Sequence, residues 1–375
     1  MASGATLRRR LVRLLEEKGL LQNKRVRDAF LTVPREHYVP EVEVEAAYRD
    51  EAILTKKTET GLGLSSSSQP GIMAEMLDEL RLEQGQRVLE IGAGTGYNAA
   101  LLEWIVGANG RVTTVDIDPE TARRARRALK GTRVKVVTGD GRDGHPAGAP
   151  YDRIIVTASA TEIPRAWLEQ LAPGGLLEVP LRLGESAGLQ LIPTLRREGE
   201  LLRSVSVICG GFMPIRQTPD DLSQFWPMVT VSRTEGAETT ALLTIAGPPI
   251  RVAARRIVST ACSEPRSLNL GVRASSKALD VYLALRGPAR RTVAVFDGKS
   301  YLGGIVARGG RSLALLRGWP TTSTMLAYGE GDAAEELEAL VSDWVARGRP
   351  DASAVDLTAT FPNGTFAIRT RWRGR

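Results

Sequence analysis

A glycine-rich turn that follows an acidic residue is the strongest chemical pattern in this chain of 375 residues. Gly92, Gly94 and Gly96 come after an apolar run, and Glu90 lies two places before the first glycine. Glycine suits such a turn because it adopts positive φ values and lets the backbone approach a ligand closely. A dinucleotide fingerprint would require glycine at Tyr97, so the spacing argues against a nicotinamide cofactor and leaves other nucleotide-like ligands open.

Two further carboxylates are predicted to lie on the same side of a sheet as this turn. Asp116 ends a β-branched run about 26 residues after Glu90, close to the offset at which Rossmann-like folds place a ribose-binding acid. Asp118 is an alternative, but Asp118-Pro119 is typical of the cap and first turn of a helix. Asp140 follows the next strand-like run. Because the carboxyl ends of parallel strands meet at one edge, we expect Asp116 and Asp140 near the glycine turn.

A run of four serines stands directly before another predicted helix. Ser65 to Ser68 precede Gln69 and Pro70, and proline suits the first turn of a helix that Ser68 or Gln69 would cap. One interpretation is a flexible polar linker. The other is a binding site for a carboxylate, because hydroxyl groups and unpaired N–H groups at a helix N-terminus both donate hydrogen bonds to an anion.

Alternating strand-like and helix-like segments must position these groups. With helical patterns between them, apolar runs predict strands at 88–91, 111–115, 133–137, 151–156 and 176–180. Two more runs, at 188–194 and 201–209, can close the sheet as an antiparallel pair. The pattern predicts an α/β fold with a doubly wound, mostly parallel sheet. Leucine stripes near the N-terminus, and a second helix capped by Asn23, predict a helical cap against this sheet.

Composition restricts the class of protein. The chain has 42% hydrophobic and 25% charged residues and no apolar run of membrane-spanning length, which indicates a globular protein. Two cysteines and two histidines argue against a disulfide framework and a His/Cys metal site, and they suit a cytoplasmic location. The net charge of +7 indicates either an arginine-rich surface or attraction for an acidic partner, and no nucleic-acid-binding module supports RNA as that partner.

The ordered set of motifs resembles the protein-L-isoaspartate O-methyltransferase family over residues 7–217. The acidic residue before the glycine turn is what class I methyltransferases show. The other matching segments, in chain order, are Val26-x-x-Ala29-Phe30, Val33-Pro34-Arg35-Glu36, Ala47-Tyr48-x-Asp50, Ser68-Gln69-Pro70, Gly139-Asp140-Gly141-Arg142, 151–157, Pro173-Gly174-Gly175 and Phe212-Met213-Pro214. The resemblance implies S-adenosylmethionine as the methyl donor and a peptide carboxylate as the acceptor.

The resemblance also implies a cofactor site. Glu90, Gly92 and Gly94 would hold the methionine part of the cofactor. Asp116 would bind the ribose hydroxyls, and Asp140 would lie by the adenine. The complete predicted cofactor site consists of Glu90, Gly92, Gly94, Gly96, Tyr97, Asp116, Ile117, Asp140, Gly141 and Thr157. No metal site is predicted.

The acceptor side departs from the family pattern. Gly-x-Thr-Ile-Ser is replaced here by Leu64-Ser65-Ser66-Ser67-Ser68, in which Ser68 matches the active-site serine of the family. Ser68, with Ser66 and Ser67, is therefore the predicted catalytic segment. A carboxylate is already anionic at neutral pH, so it needs alignment and hydrogen-bond donors rather than a base.

A long C-terminal extension is the second departure, and we expect that the repair enzymes of the family lack it. We predict a helical cap and acceptor segment at 1–80, a cofactor-binding domain at 81–217 and an α+β accessory domain at 218–375. In the last, alternating runs predict strands at 241–245, 292–296, 301–308 and 312–317. Residues 332–346 predict a helix, and 356–372 predict a hairpin around Pro362-Asn363-Gly364.

An extended chain of this type resembles methyltransferases found with bacterial peptide-maturation systems, beside ATP-grasp ligases of the graspetide type or lanthipeptide synthetases. That resemblance implies methylation of an aspartate side chain in a ribosomally made, Asp-containing precursor peptide, already macrocyclised or not. The ester would then promote aspartimide and, after hydrolysis, isoaspartate. The alternatives are repair of isoaspartyl proteins, methylation of RNA or a small molecule, and a binding module that has kept the fold. We expect neither a membrane nor a nucleic acid as partner, and no pattern indicates an oligomeric state.

Overall fold

The structure, a computed structural model, describes residues 2–59, 61–183, 190–225, 227–235, 238–247, 249–286, 292–296, 301–317 and 321–373. Its helices are α1 (Gly4–Glu17), α2 (Lys24–Thr32), α3 (Val44–Ala47), α4 (Pro70–Glu79), α5 (Tyr97–Val106), α6 (Pro119–Ala128), α7 (Arg165–Gln170), α8 (Ile250–Ala261), α9 (Ser276–Arg286) and α10 (Ala333–Ala346). Within the described ranges, no helix is long and apolar enough to span a bilayer.

The first ten strands are β1 (Ile53–Lys57), β2 (Gly63–Ser67), β3 (Arg87–Ile91), β4 (Arg111–Asp116), β5 (Lys135–Thr138), β6 (Tyr151–Val156), β7 (Leu171–Glu178), β8 (Gln190–Glu198), β9 (Leu201–Gly210) and β10 (Met228–Glu235). The others are β11 (Glu238–Ala246), β12 (Arg266–Ser275), β13 (Thr292–Phe296), β14 (Tyr301–Val306), β15 (Ser312–Arg317), β16 (Thr321–Gly329), β17 (Val355–Thr360) and β18 (Ala367–Trp372). The start of the predicted strand at 188–194 lies outside the described residues.

A nine-stranded sheet in the order β18-β17-β9-β8-β7-β6-β3-β4-β5 forms the centre of the chain. Strands β3 to β7 run parallel, and β8 and β9 continue the sheet as an antiparallel pair. Leu89, Ile154 and Leu177 on the central strands are fully buried, as expected where helices cover both faces of a parallel sheet. The predicted doubly wound α/β fold is confirmed.

The strand order brings the ends of three strands together. β3 lies between β4 and β6, and Ile91 pairs with Val115 on one side and Val156 on the other. The residues next along the chain are Gly92 after β3, Asp116 at the end of β4 and Thr157 after β6. They therefore share one edge of the sheet, as the strand pattern predicted.

The N-terminal helices pack on the helix that follows the glycine turn. Asn23 caps α2 as predicted, since its Oδ1 atom accepts a hydrogen bond from the N–H group of Arg25 at 2.9 Å. Phe30 is buried, and its ring centroid lies 6.2 Å from that of Tyr97 in an edge-on arrangement. Burial of these apolar side chains holds the cap against α5.

The chain after residue 227 builds a second, antiparallel sheet in the order β10-β11-β13-β14-β15-β16-β12. The predicted strands at 241–245, 292–296, 301–308 and 312–317 and the helix at 332–346 all occur. Helices α8 and α9, and strands β10, β12 and β16, were not predicted. Leu337 and Trp344 of α10 are buried against this sheet.

The final hairpin does not belong to the second sheet. β17 and β18 form the predicted antiparallel pair, but β17 also pairs with β9 of the first sheet, with Ala359 opposite Leu202. The N–H group of Leu357 donates to Ser204 Oγ at 2.9 Å. This arrangement differs from the single accessory unit expected at 218–375. The hairpin covers β9, which would otherwise be an exposed edge strand.

Helix α9 connects the two halves. Val281 is fully buried in the core of the first sheet. Leu279 and Tyr282, on the other side of the same helix, are fully buried in the core of the second sheet. A helix with apolar side chains on two faces packs between two layers. α9 is therefore fixed by both halves of the molecule.

Candidate functional site

A cavity of about 390 Å³ opens between the ends of β3, β4 and β6, the β1–β2 hairpin and the start of α4. The predicted site residues that line it are Ser66, Ser67, Ser68, Glu90, Gly92, Gly94, Tyr97, Asp116, Ile117, Gly141 and Thr157. The volume is in the range of small-molecule sites. Within the described ranges, no group of three or more His, Cys, Asp or Glu side chains is arranged to hold a metal ion.

The glycine turn places its backbone directly against the cavity. Gly92 and Gly94 have φ values of 102° and 50°, in the left-handed region that side chains disfavour. Thr157 fixes the turn, because its hydroxyl donates to the carbonyl oxygen of Gly92 at 2.8 Å. A Cβ atom at Gly94 would lie 3.2 Å from the carbonyl oxygen of Ser66. A side chain here would therefore reach the serine segment across the cavity.

Glu90 is a fully buried carboxylate at the wall of the cavity. Asn98 Nδ2 donates to its Oε1 atom at 2.8 Å, and the Thr114 hydroxyl donates to Oε2. Burial raises the pKa of Glu90 to about 7, although these two hydrogen bonds oppose the shift. Glu90 therefore changes charge close to neutral pH, and a cation in the cavity would favour its ionised form.

Asp116 lies at the same edge and presents its carboxylate to the cavity. Its Oδ2 atom accepts a hydrogen bond from the N–H group of Gly94 at 3.1 Å, and Oδ1 accepts from Asp118 at 3.0 Å. Burial raises its pKa, while these bonds and the positive charge of Arg216 oppose the shift. Each carboxylate oxygen can accept a second hydrogen bond, so Asp116 can still bind hydroxyl groups of a ligand.

The serine segment forms the opposite wall. Ser66 pairs with Leu54 and Ser67 with Ile53 in the β1–β2 hairpin, and Ser65 to Ser68 all line the cavity. A paired strand is not a flexible linker, so the linker interpretation is wrong for Ser65 to Ser67. Ser67 is only 3% exposed.

A buried arginine holds this segment in place. Arg35 is fully buried, and its Nη2 atom donates to the carbonyl oxygens of Ser68 at 2.9 Å and Glu51 at 3.2 Å. Its Nη1 atom donates to the carbonyl oxygen of Ala47 at 3.1 Å. The guanidinium group thus ties the cap to the end of the serine segment. We identified its motif, Val33 to Glu36, from the sequence but assigned no role to Arg35.

The start of α4 differs from the prediction. Gln69 is the N-cap residue, and no side chain of Ser68 or Gln69 caps the helix. Instead, Asp50 Oδ1 accepts a hydrogen bond from the N–H group of Gly71 at 2.8 Å. Lys18 pairs with the other oxygen of Asp50 at 2.8 Å. The chain's own carboxylate therefore binds part of the anion site that we predicted at this helix N-terminus.

Gly96 and Asp140 are not among the residues that line the cavity. Gly96, with φ of 87°, is the N-cap residue of α5, and a Cβ atom there would meet Leu129 at 3.1 Å. Its role is in packing α5 on α6. The Asp140 carboxylate binds the guanidinium group of Arg142 and caps the turn that follows β5. Gly141 and Ile117, two other predicted cofactor residues, do line the cavity. The place of Asp140 by the cofactor stays a prediction.

Sequence analysis missed two basic residues at the cavity. Arg216 is 8% exposed and donates to the carbonyl oxygens of Leu64, at 3.3 Å, and Pro219. Arg216 lines the cavity beside the serine segment, and its positive charge acts on Asp116. Lys277, at the start of α9, lines the cavity from the second half of the molecule. Neither belongs to a local motif, so no pattern in the sequence marked them.

Comparison with known proteins identifies relatives of the first half. The family described as Protein-L-isoaspartate(D-aspartate) O-methyltransferase (PCMT) matches residues 6–215. Protein-L-isoaspartate O-methyltransferase of Ignicoccus hospitalis is 38% identical over 213 residues, which are 56% of this chain and 96% of the relative. The enzyme of that name from Methanopyrus kandleri is 41% identical over 212 residues, which are 56% of this chain and 90% of the relative.

One solved structure resembles both halves. A chain named protein-L-isoaspartate O-methyltransferase aligns with 96% of this chain and 99% of its own length, with a TM-score of 0.53 and 24% sequence identity. At this identity the likeness shows the fold alone. It does show that a chain with this name has a comparable fold across the extension. The expectation that repair enzymes lack the extension therefore does not hold for every chain so named.

Proposed function

Since the chain belongs to the protein-L-isoaspartate O-methyltransferase family, we propose that it methylates the free α-carboxylate of L-isoaspartyl residues in proteins. The chain is an S-adenosylmethionine-dependent carboxyl methyltransferase. One observation carries the proposal: Glu90 and Asp116 line the same cavity as the hydroxyl-bearing segment that contains Ser68. All of these residues lie within the part of the chain that matches the family.

The acidic end of the cavity fits S-adenosylmethionine. The cofactor carries an ammonium group, a sulfonium group and two ribose hydroxyls, and ionised carboxylates such as Glu90 and Asp116 only accept hydrogen bonds. Gly92 and Gly94 leave room for it where a side chain would close the gap to Thr157 or Ser66. We assign Glu90 and the two glycines to the methionine part and Asp116 to the ribose.

The chemistry requires positioning more than acid–base catalysis. When bound, S-adenosylmethionine supplies an electrophilic methyl group. The acceptor carboxylate is already ionised at neutral pH, so the chain needs only to hold one of its oxygens in line. The hydroxyl groups of Ser66 and Ser68 can donate hydrogen bonds to the other oxygen without neutralising the nucleophile. Arg35 keeps that segment rigid through the carbonyl oxygen of Ser68.

The ester product explains repair without a further catalytic group. The neighbouring backbone nitrogen attacks the ester carbon, a C–N bond forms, the bond to the methoxy group breaks, and methanol leaves with the amide proton. The resulting succinimide ring then opens with water to aspartate or isoaspartate. The same sequence of steps would start from a methylated aspartate side chain, so only the acceptor distinguishes repair from maturation.

Methylation of an ordinary aspartate in a precursor peptide is the second candidate. The observation that favours it is the pair Ser66 and Ser67, which stand where the family pattern has Thr and Ile and which both line the cavity. Replacement of an isoleucine by serine removes apolar bulk beside the acceptor. The extension does not separate the two candidates, because a structure named protein-L-isoaspartate O-methyltransferase aligns across it.

Matched peptides would decide between the candidates. The full-length protein is incubated with S-adenosylmethionine and two peptides of one sequence, which differ only in isoaspartate or aspartate at a single position. We expect one added methyl on the isoaspartyl peptide, followed by loss of methanol, measured by mass spectrometry. S-adenosylhomocysteine is the inhibition control. Turnover of the aspartyl peptide alone would overturn the proposal and support the second candidate, and activity abolished by ribonuclease would support an RNA substrate.

A further inference from the structure

Lys277 is the residue that carries an inference beyond the family's own part of the chain. The family match ends at residue 215. Among the described residues that line the cavity, Arg216 follows directly, and Lys277 alone comes from the second half of the molecule. The accessory half therefore contributes a cationic side chain to a cavity that the first half otherwise builds.

The position of Lys277 is at the acceptor end. Ile72, Glu75 and Met76 of α4, Gly210 at the end of β9, and Lys277 all line the cavity. A Cβ atom at Gly210 would lie 3.0 Å from Ile72, so α4 and the end of β9 are in contact. Helix α4 begins two residues after Ser68, so this wall continues the serine segment. The carboxylates assigned to the cofactor, Glu90 and Asp116, belong instead to β3 and β4. A peptide that enters beside α4 therefore passes Lys277.

The charge of Lys277 acts on groups inside this wall. Burial raises the pKa of Glu75, and the positive charge of Lys277 opposes that shift. Burial raises the pKa of the Cys209 thiol to about 12, and Lys277 opposes this shift too. Two independent side chains of the first half thus lie within electrostatic reach of the Lys277 ammonium group.

Helix α9 gives Lys277 a fixed position. Val281, one turn along the helix, is fully buried in the core of the first sheet, and Leu279 is fully buried in that of the second. Tyr282 donates a hydrogen bond to Asp343 of α10. The backbone at the start of this helix is therefore held in place, so Lys277 is attached at a fixed point of the cavity wall.

We propose that Lys277 binds the acceptor carboxylate of the peptide and that the accessory half thereby selects an anionic substrate over the neutral ester product. This proposal rests on the proposed function as a carboxyl methyltransferase. The ammonium group holds one carboxylate oxygen and leaves the other for methyl transfer. Methylation removes the negative charge, so the ester loses this ion pair and dissociates. Lys277 contributes to binding of the substrate and not to the rate of methyl transfer. An ion pair with the carboxylate lowers the nucleophilicity of its oxygens, so it does not speed the reaction.

A charge-pairing cycle tests the contact. Full-length protein, saturated with S-adenosylhomocysteine, is titrated by calorimetry with an isoaspartyl peptide and with the same peptide carrying a carboxamide in place of the free carboxylate. The wild type should bind the carboxylate about tenfold more tightly, as expected for one partly buried charged hydrogen bond. Lys277→Met should reduce this preference to within about twofold, and Lys277→Arg should retain most of it.

Arg286→Ala is the matched control, because it removes an exposed cation from the far end of the same helix. It should leave the preference for the carboxylate unchanged. In steady-state assays, Lys277→Met should raise KM about tenfold with kcat within about twofold of wild type. An unchanged carboxylate preference in Lys277→Met, or an equal loss in Arg286→Ala, would overturn the proposal.

The two proposals can fail separately. If the wild type binds and methylates only aspartyl peptides, the repair function is wrong, and the same cycle with aspartate and asparagine peptides still decides the role of Lys277. If the wild type methylates isoaspartyl peptides and Lys277→Met keeps the same preference for the carboxylate, the repair function stands and the role of Lys277 is wrong. Binding of neither peptide would overturn both.

Discussion

Cofactor binding should depend on pH through Glu90. Burial raises the pKa of this carboxyl group from an ordinary 4.5 to about 7, and the side chain is assigned to the cationic part of S-adenosylmethionine. The ionised form is the one that attracts a cation. Glu90→Gln keeps the shape of the side chain and removes the titration, so it separates charge from packing.

The magnitude follows from the fraction of Glu90 that is ionised. With a pKa of about 7, about half of the groups are ionised at pH 7 and about one tenth at pH 6, so affinity should fall about fivefold over that interval. The amino group of the cofactor stays largely protonated in this range. Glu90→Gln should bind more weakly at pH 7 and show no change between pH 6 and pH 7.

Calorimetric titration of the full-length protein with S-adenosylmethionine measures these affinities. Thr114→Val provides a matched variant, because it removes the hydroxyl group that donates to Glu90 Oε2 and should raise the pKa further. Its affinity at pH 7 should therefore lie below that of the wild type. Equal wild-type affinities at pH 6 and pH 7 would refute the reasoning. So would a Glu90→Gln variant whose affinity falls between pH 7 and pH 6 as much as that of the wild type.

The same shift predicts the stability of the cofactor-free protein. The folded state holds its Glu90 proton up to about pH 7, whereas the unfolded chain releases it near pH 4.5. The folded state thus binds more protons in that interval, and stability falls as pH rises through it. Above pH 7 the loss is about 3 kcal/mol. Glu90→Gln should therefore raise the apoprotein's melting temperature at pH 8, measured by calorimetry, and have less effect at pH 5.

Three other predictions concern the site and its support. Asp116→Ala should abolish binding of S-adenosylmethionine in calorimetry, and unchanged affinity would contradict the ribose assignment. Ser68→Ala should lower the rate of methyl transfer about threefold to tenfold, as for one lost hydrogen bond, while the affinity for the cofactor stays the same. A loss of cofactor affinity alone would contradict the assignment of Ser68 to the acceptor. Arg35→Met should lower the free energy of unfolding by about 3 kcal/mol or more, since it leaves buried carbonyl oxygens without donors, whereas exposed Arg9→Met should have little effect in urea denaturation. Equal effects of the two arginine variants would contradict the buried role of Arg35.

Local sequence patterns predicted the structure correctly wherever it depends on residues that are close together in the sequence. Strand β6 has the predicted bounds, and Asn23 and Asp118 cap the helices that they precede. The glycine turn and Asp116 at the end of β4 meet at one edge, because the parallel strands of a doubly wound sheet all end there. The family resemblance followed from the same ordered motifs. The domain limits, the peptide-maturation role and the individual site assignments remain predictions.

Predictions failed where a distant residue competed with a local one. Ser68 and Gln69 were predicted to cap α4, but it is the Asp50 carboxylate that accepts a hydrogen bond from the N–H group of Gly71 at the start of this helix. Such competition depends on three-dimensional distance, which a local pattern does not contain.

The sequence by itself determined which groups form the acidic part of the cavity: a glycine turn, Glu90 before it and Asp116 at the end of the next strand. These groups lie in or next to the ends of β3 and β4, so their positions follow from the local strand pattern. Only the tertiary structure decided which groups surround the serine segment, which we propose to bind the acceptor. There Arg35 holds the serine segment through backbone carbonyl oxygens, and α9 brings Lys277 from about two hundred residues along the chain. The physical reason is burial: α9 is positioned by apolar contacts with two cores, and those contacts exist only after both sheets have formed.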